Sequence, residues 1–338
     1  MSKPALEVKN LTTQFHTKSG IVTAVNDISF SINKGEVMGL VGESGCGKSI
    51  TGYSLMGLVD SPGKVVNGQL LLSSVDGTVD LRTLGAREMR SLRGGRVAMI
   101  FQDPMMTLNP VLRIDTQMIE AVLAHQSVSK SRARDISRQA LSRVGISAPD
   151  ERLESYPHQF SGGMRQRVAI AIALLNDPAL IIADEPTTAL DVTIQGQILA
   201  EMQTLCRESG TALIWITHDL SVVAGIADTV SVMYAGRIIE QGSVQDVLGS
   251  PRHPYTRGLM NSVPAANQPG KPLRQIRGMA PTLANLPVGC AFRPRCDYAT
   301  SACTNLPELR RLNNGLAACF NPIHTVLPES TLPSQEVA

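Results

Sequence analysis

The distribution of apolar residues along the chain predicts a mixed α/β fold. Up to about residue 35, apolar and polar positions alternate in LEVKNL and again in AVNDISFSI, which is typical of strands with one buried face. Mainly apolar runs indicate strands buried on both faces at Val37–Val41, Arg96–Phe101, Leu180–Ala183 and Ala212–Ile216. Each of the last two runs is followed by a helical pattern, so we predict a mostly parallel sheet.

A helical pattern dominates from about residue 113 to 176, with polar and basic faces in KSRARDISRQALSRVG. We expect this segment to form a lobe beside the sheet. After about residue 262, repeated prolines break any regular element, which predicts a linker to a C-terminal segment that contains four cysteines. The last residues, LPESTLPSQEVA, have the composition of a disordered tail.

Composition and charge give no support to nucleic-acid binding, export or a membrane-spanning protein. The chain has 338 residues, 43% hydrophobic and 18% charged, with a formal net charge of +2, which gives no whole-chain argument for nucleic acid as a partner. Its first residues, MSKPALEVKN, have no apolar signal core, so export is not expected. The longest apolar run, Val168–Leu175, is too short to span a bilayer. We therefore expect any membrane association to go through a partner.

The cysteines are unevenly distributed. Cys46 and Cys206 are isolated, whereas four cysteines cluster near the C-terminus, which favours a metal site over disulfides in a chain without a leader. Four thiolates suit a tetrahedral zinc or a 4Fe-4S cluster; the lack of C-x-x-C pairs favours the cluster, whose negative charge Arg293 and Arg295 would offset. The alternative is four unligated buried cysteines. The predicted ligands are Cys290, Cys296, Cys303 and Cys319.

The segment from Gly42 to Ser49 fits the phosphate-binding loop pattern GxxxxGKS, after a predicted strand and before a helix. Its glycines allow backbone N–H groups to surround phosphate oxygens, Lys48 would reach the β- and γ-phosphates, and Ser49 would ligate magnesium. The alternative is a glycine-rich turn without function. The predicted nucleotide-binding residues here are Gly42, Ser44, Gly45, Cys46, Gly47, Lys48, Ser49 and Ile50.

Two adjacent acids, Asp184 and Glu185, follow the predicted strand Leu180–Ala183. The first can hold a magnesium ion, which leaves the second free to orient or deprotonate a water. Other short motifs have plain alternatives when taken singly. Gln102 suits a solvated loop, His218 suits a helix cap, and Ser161-Gly162-Gly163 suits an ordinary helix-entry turn with Ser161 as N-cap.

Together and in this order, these motifs resemble those of the ATP-binding cassette (ABC) family of ATPases. The matching segments are the P-loop at 42–49, the Q-loop glutamine Gln102, the signature SGGM at 161–164, the Walker B strand at 180–185, the D-loop Thr188-Ala189-Leu190-Asp191 and the switch histidine His218. Phe160 and Met164 depart from the usual LSGGQ signature.

The resemblance implies that two cassettes face each other head to tail. ATP on one P-loop would be closed over by the turn formed by Ser161, Gly162 and Gly163 of the other cassette. Glu185 would position the attacking water, and His218 would hold the γ-phosphate. Two further residues take family roles by position: Gln102 would contact the magnesium site and couple it to a partner, and Phe15 would stack on adenine, the alternative being a core phenylalanine.

The C-terminal region resembles the ATPase subunits of dipeptide and oligopeptide importers, through RHPYTRGL at 252–259 and GCAFRPRC at 289–296. In some of these a C-terminal cysteine quartet carries an iron–sulfur cluster. The resemblance implies an α/β fold: an ABC-type P-loop ATPase core with an N-terminal antiparallel β subdomain, a helical signature subdomain (about 103–176) and a small cysteine-containing extension. We expect a nucleotide-binding domain at 1–262, the linker and extension at 263–322, and a tail at 323–338.

The resemblance also implies a function and partners. The chain would be the ATP-hydrolysing motor of a bacterial peptide importer, peripheral on the cytoplasmic face of the inner membrane. Its partners would be a homologous ATPase subunit in a heterodimer, two integral-membrane permeases and, through the complex, an extracytoplasmic binding protein. The alternatives are an importer of nickel chelates, glutathione or another small solute, a soluble non-transport ABC ATPase, or a catalytically dead regulatory cassette.

Overall fold

Two β-sheets and the helices that cover them form the fold. The computed structural model describes residues 3–74, 77–103, 105, 107–187, 192–263, 267, 274–312 and 314–323. The strands are β1 (Leu6–Thr17), β2 (Gly20–Ile32), β3 (Val37–Val41), β4 (Gly63–Ser74), β5 (Gly77–Asp80), β6 (Val97–Ile100), β7 (Leu180–Asp184), β8 (Ala212–Thr217), β9 (Thr229–Tyr234), β10 (Arg237–Ser243), β11 (Arg310–Leu312) and β12 (Gly315–Ala317).

The α-helices surround these sheets, and short 3-10 turns join some of the elements. The helices are α1 (Lys48–Met56), α2 (Ala86–Leu92), α3 (Ile114–Leu123), α4 (Lys130–Arg143), α5 (Pro149–Leu153), α6 (Gly162–Leu174), α7 (Val192–Ser209), α8 (Leu220–Ile226), α9 (Val244–Gly249) and α10 (Pro254–Ser262). Among the described residues, no helix is both long enough and apolar enough to cross a bilayer.

The larger sheet has the strand order β11-β12-β10-β9-β3-β8-β7-β6, and its five strands from β9 to β6 run parallel. Every residue of β3, β7 and β8 is buried, as expected of strands covered on both faces. The predicted mostly parallel sheet is therefore confirmed. Because parallel strands end at the same edge, β3, β6, β7 and β8 deliver their C-terminal residues to one side of the sheet.

The smaller sheet is antiparallel, with the order β2-β1-β4-β5. This confirms the predicted N-terminal antiparallel β subdomain, although the pattern of residues 1–35 identified only its first two strands. The strand β4 has no recognisable alternation because its apolar residues are consecutive, at 65–66 and again at 70–72. Only the pairing of β4 with β1 makes the alternation of buried positions visible, with Leu70 and Leu72 facing the core.

The segment predicted to be helical between about 113 and 176 contains α3 to α6 and lies beside β6. Serine hydroxyls cap two of these helices. The Ser129 side chain accepts a hydrogen bond from the Arg132 N–H at the start of α4, and the Ser161 side chain accepts one from the Met164 N–H at the start of α6. The lobe shares one hydrophobic core with the sheet through side chains such as Trp215, which is fully buried.

The cysteine-containing segment continues the larger sheet. Its hairpin β11–β12 adds to the edge of β10, where Glu240 is opposite Ala317. An aromatic cluster made by Tyr234 of β9, Tyr255 of α10 and Phe292 of the cysteine segment fastens it further, with ring centroids 4.6 to 5.4 Å apart. The segment is thus joined to the core by both backbone pairing and apolar burial.

Candidate functional site

The loop between β3 and α1 has the geometry of an anion cradle. Gly47 precedes α1 with φ of 107°, a conformation that side chains disfavour. A Cβ atom at Gly47 would also collide with the carbonyl oxygen of Ala24, so glycine is required here on two grounds. The loop therefore brings its backbone to the positive N-terminal end of α1, where N–H groups attract anions.

Lys48 is the cation of this loop. Its side chain is buried, and Nζ donates hydrogen bonds to the carbonyl oxygens of Gly42 (2.8 Å) and Glu43 (3.1 Å). The ammonium group is thereby placed inside the curl of the loop rather than in solvent. Lys48 also lowers the pKa of the Cys46 thiol, although burial of that thiol is the larger effect and raises it.

Ser49 and Asp184 are brought together from two different elements. The Ser49 hydroxyl, in the first turn of α1, donates a hydrogen bond of 3.0 Å to Oδ1 of Asp184 at the end of β7. Burial raises the pKa of Asp184, and Glu185 adds to the increase, while the Ser49 hydrogen bond and Lys48 oppose it. A hydroxyl and a carboxylate beside an anion cradle are the oxygen ligands that Mg²⁺ prefers, so these residues fit a magnesium ion.

Glu185, His218 and Gln102 meet next to this pair. Glu185 Oε2 is 3.1 Å from His218 Nδ1 and 3.5 Å from Gln102 Nε2. Glu185 has a φ of 44°, a left-handed conformation that is uncommon for a residue with a side chain, and its N–H donates to the carbonyl oxygen of Ile216. Backbone strain of this kind is concentrated at functional sites.

The P-loop, Gln102, Glu185 and His218 line one open cavity of about 550 Å³, whose lining does not include the buried Asp184 or Cys46. Two leucines that the sequence gave no reason to select also line it: Leu259 from α10 and Leu283 from the cysteine-containing region. Tyr255, likewise not predicted, accepts a hydrogen bond of 2.8 Å through Oη from the N–H of Glu43. The full lining is Gly42, Glu43, Ser44, Gly45, Gly47, Lys48, Ser49, Ile50, Gln102, Glu185, His218, Leu259 and Leu283.

The other predicted site residues lie elsewhere. Ser161, Gly162 and Gly163 begin α6 and are not part of this cavity's lining. Phe15 is half-buried, pairs with Gly63 across β1 and β4, and packs on it so closely that a Cβ at Gly63 would lie 2.7 Å from the ring. Its stacking on adenine stays a prediction. The D-loop match, 188–191, falls outside the described residues.

The four C-terminal cysteines lie in one region without forming an assembled metal site. Cys296 and Cys303 are buried, Cys290 and Cys319 are half-buried, and none of them forms a disulfide. Burial raises the pKa of Cys319 to about 11, and the other thiols of the quartet add to this. The Cys290 N–H donates a hydrogen bond of 3.0 Å to the carbonyl oxygen of Cys303, which joins two of the four. Within the described ranges, however, no group of three or more His, Cys, Asp or Glu side chains is arranged to hold a metal ion. The donor chemistry of four thiols fits a metal centre.

The chain matches two family models. The model of the ABC transporter family matches residues 25–188, which include the P-loop, Gln102, the Ser161 turn and the Asp184–Glu185 pair. The model of the oligopeptide/dipeptide transporter C-terminal region matches residues 239–303, which include α10 and three of the four clustered cysteines.

Curated relatives match over nearly the whole chain. The chain is 48% identical over 323 residues to the oligopeptide transport ATP-binding protein OppD of Salmonella typhimurium, which covers 95% of each protein. It is 50% identical over 299 residues to the dipeptide transport ATP-binding protein DppD of Bacillus subtilis, which covers 88% of each.

Solved structures match the cassette portion. A dimeric structure of a post-hydrolysis state of the ATP-binding cassette MJ0796, bound to ADP and Pi, aligns with a TM-score of 0.62 at 25% identity, over 71% of this chain and 98% of that one. The cbiO1 structure from Clostridium perfringens, part of the ABC transporter complex cbiONQ, aligns with a TM-score of 0.61 at 28% identity, over 73% of this chain and 91% of that one. The chain therefore belongs to the ABC transporter family, as an ATPase related to the oligopeptide and dipeptide transport ATP-binding proteins.

Proposed function

We propose that this protein is the ATP-hydrolysing motor subunit of an importer for di- and oligopeptides. The observation that carries the proposal is the meeting of Lys48, Ser49 and Glu185 around one cavity, with Asp184 hydrogen-bonded to Ser49, in a chain whose relatives are peptide transport ATP-binding proteins. The intact P-loop lysine and both Walker B acids argue against a catalytically dead cassette.

The proposed mechanism assigns one task to each group of the cavity. The P-loop backbone and Lys48 bind the phosphates, and Ser49 and Asp184 would hold a magnesium ion, which supplies charge neutralisation on the phosphates when bound. Glu185 orients the attacking water and accepts its proton at Oε2. His218 Nδ1, 3.1 Å from that oxygen, would contact the γ-phosphate. Gln102, which follows β6, contacts the same carboxylate and would couple it to a partner.

We further propose that two cassettes form each ATP site. The turn at Ser161, Gly162 and Gly163 is at the N-terminus of α6, a 13-residue helix, and its exposed N–H groups suit the γ-phosphate on a partner cassette. The partner would be a homologous ATPase in a heterodimer. Two membrane permeases and an extracytoplasmic binding protein would complete the importer, and this chain would then bind to the cytoplasmic face of the inner membrane. The division into 1–262, 263–322 and 323–338 stays a prediction.

Affinity purification from membranes tests this proposal directly. We expect the tagged full-length chain to be recovered from detergent extracts with a second ATPase of the same family and two polytopic membrane proteins, identified by mass spectrometry. Uptake of a labelled tripeptide by cells that carry the intact complex should depend on Lys48. Recovery with nucleic acid alone would contradict the proposal, and uptake of a nickel chelate or glutathione in place of peptide would establish the alternative importer.

We also propose that the thiols of Cys290, Cys296, Cys303 and Cys319 close around a 4Fe-4S cluster. The support is their number, their clustering and their mutual effect on pKa; the alternative ligand is zinc. The prediction is that anaerobically purified protein is brown and contains iron and acid-labile sulfide, and that Cys303→Ser loses both. Cys206→Ser, at a buried cysteine outside the quartet, is the control and should keep the colour. Colourless protein with stoichiometric zinc would overturn the cluster.

A further inference from the structure

An ion pair joins the cysteine-containing segment to the phosphate-binding loop. The guanidinium of Arg295, next to Cys296 in sequence, makes a two-pronged contact with the carboxylate of Glu43, at 2.6 Å from Nη1 to Oε2 and 2.9 Å from Nη2 to Oε1. Arg295 is only 6% exposed, and Glu43 is the second residue of the P-loop. Paired N–H donors on one carboxylate are among the strongest contacts between side chains, and they fix orientation as well as distance.

The surroundings of Arg295 hold it rigidly in place. Its Nε donates to the carbonyl oxygen of Arg277 at 3.0 Å, and the guanidinium carbon is 5.9 Å from the ring centre of Tyr234 and 5.8 Å from that of Phe292. These partners belong to β9 and to the cysteine segment itself. The position of the guanidinium therefore depends on how the cysteine segment is docked on the core.

Glu43 transmits this constraint to the nucleotide site through its backbone. Its N–H donates to Tyr255 Oη at 2.8 Å, and its carbonyl oxygen accepts from Lys48 Nζ at 3.1 Å. Glu43 is thus anchored by Tyr255 of α10 and by Arg295 of the cysteine segment, and its carbonyl oxygen in turn binds the P-loop residue Lys48. A carboxylate in a loop that receives phosphates would also repel them, unless a cation neutralises it.

We propose that Arg295 is a positioning residue for ATP binding, which neutralises Glu43 and holds the P-loop in its binding conformation. The inference rests on the proposed nucleotide site and adds that the cysteine-containing segment contributes to it. Correct docking of that segment then becomes a condition for tight ATP binding. Disruption of this docking should weaken nucleotide affinity even though the residues that bind the phosphates are unchanged.

The test compares Arg295→Gln, Glu43→Gln and the double variant of the full chain, by calorimetric titration with Mg²⁺ and a non-hydrolysable ATP analogue. Arg295→Gln leaves the Glu43 carboxylate unpaired beside the phosphates. We therefore expect the Kd of this variant for the ATP analogue to rise by about tenfold or more, because most of the effect of removing one partner of an ion pair comes from the charge that remains. Glu43→Gln should have a smaller effect. The double variant should bind more tightly than Arg295→Gln alone, since the repelling charge has gone.

Two further measurements separate positioning from general destabilisation. Arg295→Lys should restore part of the affinity, and the defect of Arg295→Gln should shrink at high salt, because it is electrostatic in origin. Arg311→Gln, at an exposed arginine of the same extension, is the matched control and should bind like the wild type. In assembled complexes, KM for ATP should change more than kcat.

Two outcomes would overturn the inference. Equal Kd values for Arg295→Gln and Arg311→Gln would show that the ion pair has no bearing on nucleotide binding. A double variant that binds no better than Arg295→Gln would show that the unpaired charge of Glu43 does not weaken binding, which contradicts neutralisation as the role of Arg295. Failure of the wild type itself to bind the ATP analogue would instead contradict the proposed nucleotide site, so the two failures are distinguishable.

Discussion

Glu185→Gln is expected to lower ATP turnover of the assembled transporter by about 10²–10⁴-fold, the range that a general base contributes. The amide keeps the size of the side chain but cannot accept a proton from the attacking water. Lys48, Ser49 and Asp184 are unchanged, so ATP should still bind with nearly wild-type affinity. The two cassettes should then close around ATP, but without hydrolysis they should not separate. The variant should therefore accumulate as an ATP-bound pair of cassettes.

The measurement combines single-turnover hydrolysis with size-exclusion chromatography in Mg²⁺ and ATP. Glu208→Gln, an exposed glutamate at the end of α7, makes the same change of charge away from the cavity and should behave like the wild type. Undiminished turnover by Glu185→Gln would exclude this residue as the group that positions water. The pairing of Glu185 with His218 at 3.1 Å would then be structural only.

The nucleotide site was largely predictable because its chemistry is local in sequence. The P-loop needs glycines at fixed spacing before a helix, and Asp184 and Glu185 need only the end of a buried strand, so short motifs contain most of the information. The parallel sheet was predictable for a similar reason, since strands such as β3 and β8 are mainly apolar. Their common edge then follows from the rule for parallel strands.

The connection between the cysteine segment and the P-loop was not predictable in the same way. Arg295 and Glu43 are 252 positions apart, and neither sits in a motif that names the other. Because cysteines are its neighbours in sequence, the sequence alone predicts only that Arg295 offsets the charge of a cluster. Tertiary docking of Phe292 against Tyr234 and Tyr255 decides its partner instead, and no local pattern records that docking.

Asp184→Asn is expected to have opposite effects on activity and on stability. The asparagine is a poor ligand for Mg²⁺ because it lacks the negative charge, so hydrolysis should fall by about a hundredfold or more. Binding of ATP in the presence of EDTA should change little, because Lys48 and the P-loop backbone are intact. Binding in the presence of Mg²⁺ should lose most of the additional stabilisation seen with the wild type.

The stability effect follows from the raised pKa of Asp184. Burial disfavours its charged form in the nucleotide-free protein, so the folded-state pKa lies above the usual value of 3.8. Such a group stabilises the fold fully below pH 3.8, and that contribution is lost as pH rises through the folded-state pKa. Asparagine carries no charge at any pH and can still accept the hydrogen bond from Ser49. The free energy of unfolding of nucleotide-free Asp184→Asn should therefore exceed that of the wild type at pH 7.

Urea denaturation over a pH series that begins near the usual pKa of 3.8 and extends to neutral pH, without nucleotide or Mg²⁺, checks this sign. The advantage of Asp184→Asn over the wild type should grow as pH rises toward the raised pKa of the aspartate and then level off. Asp177→Asn, at an exposed position with a φ of 46° that asparagine tolerates, controls for the change in net charge and should show no such trend. A destabilised Asp184→Asn at pH 7 would mean that the carboxylate is stabilised by its neighbours. A stabilised but inactive variant would mean that this site stores an unfavourable buried charge, which a magnesium ion then offsets.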